Sequence, residues 1–136
     1  MRFSEKQRIN IAMNVKHSYL FLSGAMLISP MLLAGEADVL DVKVFCRPDC
    51  TFNVTVKHTD TGWDHYANGW EIVATDGTVL GTRVLYHPHE QEQPFTRSLS
   101  GVSIPDSIKQ VSIRAKDSVH NFGGMEKTVD LPPRSR

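Results

Sequence analysis

The stretch Trp70–Tyr86, WEIVATDGTVLGTRVLY, decides the fold class. Trp70, Ile72 and Ala74 alternate with Glu71 and Thr75, the period of a strand with one face in a core. Asp76-Gly77 follows, a dipeptide that tolerates the positive φ angles of a two-residue hairpin turn. Thr78 to Tyr86 then reads as the return strand.

The same period extends in both directions. Leu40, Val42 and Val44 alternate with Asp41 and Lys43, and Phe52, Val54 and Val56 with Asn53, Thr55 and Lys57. Val111, Ile113 and Ala115 alternate with Ser112, Arg114 and Lys116, and no stretch carries a helical period. Breaks fall at Ser103–Ser107 and at Gly123-Gly124. The expected fold is therefore all-β, with seven strands over 39–46, 51–58, 68–75, 78–86, 94–100, 109–117 and 125–131. Short strands at this spacing suit a sandwich, with a small Greek-key barrel as the alternative.

The pattern resembles an immunoglobulin-like or fibronectin-type sandwich with Greek-key connections, in which a large aromatic such as Trp70 is often buried on the third strand. It departs from the antibody type because no cysteine pair links the second and sixth strands. Gly81–His89 (GTRVLYHPH) with Gln93–Leu99 (QPFTRSL) is similar to segments of small secreted bacterial proteins, and that resemblance implies no activity.

Residues 1–37 differ in kind from the rest. Arg2, Lys6, Arg8 and Lys16 lead into Tyr19–Ala34, a nearly uncharged run of 16 residues interrupted by Gly24 and Pro30. That is short of the ~20 residues of a bilayer span. A basic start, a short apolar core and a small-residue exit describe a secretory signal peptide, with cleavage expected after Gly35-Glu36-Ala37 and Met13 an alternative start. No cysteine follows the small residues, so the leader does not look like that of a lipoprotein. The expected organisation is a signal peptide over 1–37, one β domain over 38–131 and a flexible tail over 132–136. The expected location is periplasmic or secreted, with no stable membrane anchor after cleavage.

From Asp38 onward the chain holds 11 Lys+Arg and 13 Asp+Glu, a net charge of −2. No basic patch remains for nucleic acid. Cys46 and Cys50 are separated by Arg47-Pro48-Asp49, and an oxidising compartment makes them a disulfide clamping a tight turn. C-x-x-x-C is not the redox C-x-x-C motif, and no βαβ pattern surrounds it.

Strand order then sorts the histidines. Connections in a sandwich alternate between its two ends, so those after the second, fourth and sixth strands share an end. They carry His65, then His87 and His89, then His120, with His58 close by at the end of the second strand. Extended His87-Pro88-His89 points both imidazoles to one side. Asp60, Asp64, Glu90, Glu92 and Asp117 lie on the same connections, as ligands or as acceptors orienting a ring nitrogen. Imidazoles without thiolate suit Zn²⁺ or Cu²⁺.

The expected function is thus metal binding through His65, His87, His89 and His120. Binding as a carrier or sensor is favoured over catalysis, because no dedicated acid–base pair is present. A metalloenzyme with an open coordination position is a further reading. A blue-copper centre needs a cysteine ligand, and both cysteines belong to the other end. The competing expectation is a protein- or glycan-binding module that uses Trp63 and Tyr66 as its contact surface. Asp117, Ser118 and His120 are too close in sequence for a catalytic triad, and no nucleophile-elbow motif is present.

Overall fold

The computed structural model describes residues 35–134. The expected signal peptide falls almost wholly outside them, as do the last two residues of the expected tail. Eight strands follow in chain order: β1 (Asp38–Cys46), β2 (Cys50–Lys57), β3 (Ala67–Ala74), β4 (Val79–Val84), β5 (Phe95–Val102), β6 (Gln110–Asp117), β7 (Asn121–Phe122) and β8 (Lys127–Asp130). All pair antiparallel, and no helix occurs among the described residues.

They form two sheets. One has the order β1-β2-β5. The other has the order β4-β3-β6, with β7 and β8 both pairing with β6. The chain changes sheet at the β2–β3, β4–β5 and β5–β6 connections. One core lies between the sheets, with Val39, Phe52, Val54 and Val56 from the first and Trp70, Ile72, Val111 and Ile113 from the second, all without exposed surface. Burying each such side chain contributes roughly 1.5–3 kcal/mol before chain entropy is subtracted.

The strand absent from the sequence reading is β7. It returns from β6 through Ser118-Val119-His120, pairing Asp117 with Asn121 and Lys116 with Phe122. Asn121 has φ 61°, the left-handed conformation that closes a three-residue hairpin and that asparagine tolerates better than most residues. Two residues are too short to show a period, so only the tight turn marks this strand.

Cys46 and Cys50 are register partners in the β1–β2 hairpin and form a disulfide, with their Cα atoms 3.9 Å apart. This hairpin lies at the opposite end of β2 from the β2–β3 connection. At the C-terminus, the Arg134 guanidinium donates to the carbonyls of Pro105 and Ile108 at 3.0 and 2.9 Å.

Candidate metal centre

Strand phase places the first ligand. In β2 the inward positions are Cys50, Phe52, Val54 and Val56, and the next step of two reaches His58, which is buried. In β6 the inward positions are Val111, Ile113 and Ala115, and the same step reaches Asp117, the fully buried end of that strand. Two polar side chains are thus carried inward where the apolar pattern runs out.

Asp60 organises the β2–β3 connection. Its Oδ1 lies 2.6 Å from His58 Nδ1 and accepts the Ala67 backbone N–H at 3.0 Å, while Oδ2 accepts the His89 backbone N–H at 2.7 Å. One carboxylate therefore ties together two connections and the start of β3. Gln93 adds a second tie, accepting from His58 N and donating to the His89 carbonyl, each at 3.0 Å. Burial pushes the Asp60 carboxyl up, but the His58 hydrogen bond and the His89 and Ala67 N–H groups outweigh it and hold the group below the usual carboxylate range.

With Asp60 ionised, a proton sits on His58 Nδ1, and Nε2 on the far side of the ring is the nitrogen left to ligate. That Nε2 lies 3.2 Å from His65 Nε2, which in turn lies 3.0 Å from Asp117 Oδ1. One atom each from His58, His65 and Asp117 fall within 4.8 Å of one another. Ligands bound tetrahedrally at 2.0–2.1 Å are separated by about 3.3 Å, so the two short edges already have the spacing of a bound ion.

Asp117 is held as firmly as Asp60. Oδ1 accepts the backbone N–H groups of Val119 at 2.9 Å and His120 at 2.7 Å, and His120 Nδ1 lies 3.2 and 3.3 Å from the two carboxylate oxygens. Burial raises this carboxyl, but those two N–H groups and the facing His120 and His58 rings leave it below the usual range. The His65 ring lies 4.7 Å from the His58 ring and 5.0 Å from that of His120, centroid to centroid. His120 is the most exposed member of the cluster.

The carboxylate side chains of Asp60 and Asp117 have no exposed surface, and the ion-pair partners found for them among the described residues are imidazoles only. Imidazoles offset those two charges only when protonated. Buried charges are ordinarily paired or bound to a metal, and one divalent cation would balance both.

The four histidines expected from the sequence separate into two groups. His65 and His120 both reach Asp117. His87 and His89 lie on the β4–β5 connection with rings 4.6 Å apart, outside the His58–His65–Asp117 group. His89 is only 6% exposed and stacks on Phe95 at 4.0 Å, and neither ring nitrogen has a hydrogen-bond partner. A neutral imidazole always carries one N–H, and leaving it buried and unpaired costs about 1–3 kcal/mol. Burial, then the Arg97 and His87 charges, hold the His89 ring below its ordinary pKa.

His58 was not in the expected ligand set, although the 52-54-56 phase pointed at it. Trp63 lies in the β2–β3 connection, exposed, with its ring edge-on to that of Tyr66 at 5.7 Å.

No family model matches the chain, and no solved structure matches it. A Halomicrobium mukohataei protein described as "Putative lipoprotein" is 37% identical over 97 residues, covering 70% of this chain and 47% of that protein. The chain thus spans about half the length of the relative it matches.

Proposed function

We propose that this chain is an exported protein that holds one divalent transition-metal ion through His58, His65 and Asp117, with His120 as a fourth ligand. The observation that carries the reading is the set of His58, His65 and Asp117 donor atoms, all within 4.8 Å of one another, with the Asp117 carboxylate fully buried. The ligand types are those of Zn²⁺ and Cu²⁺. Asp60, accepting from His58 Nδ1, orients that ring and leaves Nε2 for the ion. The role is binding, as in a carrier or sensor.

Export is supported by the Cys46–Cys50 disulfide, which persists in oxidising compartments, and by likeness to a protein described as a lipoprotein. The order β1-β2-β5 opposite β4-β3-β6 supports the immunoglobulin-like reading of the fold.

The test is calorimetric titration of the full chain with Zn²⁺ and with Cu²⁺, set against His65→Ala and Asp117→Asn variants whose folding is checked by circular dichroism. Each substitution should weaken binding at this site by tenfold or more. Parent-like affinity in both folded variants would remove the site. Exposed Trp63 favours a second reading, a protein- or glycan-binding end. Metal-independent capture of a ligand that is lost in Trp63→Ala would support it.

A further inference from the structure

The β4–β5 connection carries a feature that the proposed centre does not use. His89 is more than nine-tenths buried, yet both of its ring nitrogens lack a partner. In native proteins such an orphan calls for an explanation, and a bound ion is one. Beside it, His87 Nδ1 lies 3.2 Å from the Pro88 carbonyl oxygen. The Nδ1–H donates there, which leaves Nε2 as the ligating nitrogen of the exposed ring when it is neutral. Pro88 fixes the backbone between the two rings.

We propose that His87 and His89 form a second metal site, separate from His58, His65 and Asp117, that takes Cu²⁺. Two imidazoles on one ion at a cis angle of about 90–110° bring their ring centroids to about 4.5–5 Å. The His87 and His89 centroids are 4.6 Å apart, close to the 4.7 Å of His58 and His65. The charged groups facing the pair are Glu92, Arg97 and Asp60. Arg97 holds Glu92 in a two-point ion pair at 3.0 and 3.2 Å, so those two charges offset each other and the imidazoles remain the donors. Two nitrogen donors with no thiolate favour Cu²⁺ over the other first-row divalent ions. The links found between the two sites are the His89 backbone N–H on Asp60 and Gln93, which accepts from His58 N and donates to the His89 carbonyl, and neither involves a ring nitrogen of the pair.

The experiment is a Cu²⁺ titration of the full chain, read by calorimetry and by electron paramagnetic resonance for the number of nitrogen-coordinated ions. Three proteins are compared: the parent, His87→Ala and the His65→Ala/Asp117→Asn double variant. His87 is exposed, so its removal spares the core. The expected result is two equivalents for the parent and one for each variant, the remaining signal differing between the two. Two equivalents retained in His87→Ala would overturn the second site. One equivalent in the parent, lost only in the double variant, would also overturn it and leave the His58–His65–Asp117 centre standing. One equivalent lost only in His87→Ala would support this site and sink the other. No bound Cu²⁺ in the parent would overturn both.

Discussion

The two ends of this molecule are closed by different chemistry. At one end the β1–β2 hairpin is stapled by Cys46–Cys50, and the β3–β4 turn is closed by backbone bonds and by Asp76 accepting the Thr78 N–H at 2.9 Å. At the other end, connections that would otherwise be long loops are drawn together by Asp60, Asp117, Gln93 and imidazoles, most of them buried. A covalent bond, exposed turns and the largely buried Arg134 guanidinium, set on the Pro105 and Ile108 carbonyls and paired with Asp106, hold the first end. The second end buries two carboxylates, a costly way to hold loops when a disulfide or an apolar plug would serve. The proposed metal centre would account for that difference.

The contrast is most strongly broken by Asp117→Ala. It removes the acceptor of the Val119 and His120 N–H groups and the partner of His65 at a site without exposed surface. Unpairing a buried network of this kind costs about 3–5 kcal/mol. For a domain of this size the melting temperature should fall by about 12 °C or more, measured by thermal denaturation. A fall of only a few degrees would mean that the carboxylate is dispensable and the end is ordinary loop structure.

Metal loading is the next effect in size. If the centre binds Zn²⁺ in the folded state only, free ion at about 100 times its dissociation constant should add about 2.7 kcal/mol to stability, and a chelator should reverse the gain. Chemical denaturation with Zn²⁺ and with a chelator measures it. The Cys46→Ser/Cys50→Ser pair should cost less, at or below the low end of about 2–4 kcal/mol, because the closed loop is short. Its metal affinity should match the parent's. Affinity lost with the disulfide would show the two ends to be coupled and the division of labour to be wrong.

Much of this was legible in the sequence. Alternation located the strands, because a half-buried sheet forces apolar residues to every second position. Alternation of connections also sent His65, His87, His89 and His120 to one end, and the contacts among the three connections bring that end together. The ligand set was less legible. His58 and Asp117 occupy inward positions of β2 and β6, but a period read from apolar residues stops at the last apolar residue. The separation of His65 and His120 from His87 and His89 depends on the path of the 58–66 and 85–94 segments. That path is set by Asp60 reaching Ala67 and His89, a contact 29 residues apart in the second case that no local pattern encodes.

The smallest expected effect separates the ends by pH. The buried His89 ring has a folded pKa below its ordinary 6.5, through desolvation first and then the Arg97 and His87 charges. The unfolded chain therefore takes up this proton more readily than the folded one. The neutral ring's contribution is fully present above pH 6.5 and declines as pH falls from there toward the folded pKa. At the disulfide end Asp76 has its carboxyl lowered by the Thr78 N–H, so its contribution is present above 3.8 and is lost only as pH falls through its still lower folded value. Denaturation midpoints at pH 5.0 and 7.5 isolate the histidine window, where Asp76 stays ionised at both values. His89→Phe keeps a flat ring against Phe95 and removes the titration, so the stability it loses on acidification should be smaller than the parent's. An equal loss in the two proteins would take His89 out of the acid response and leave the other imidazoles of this end to account for it.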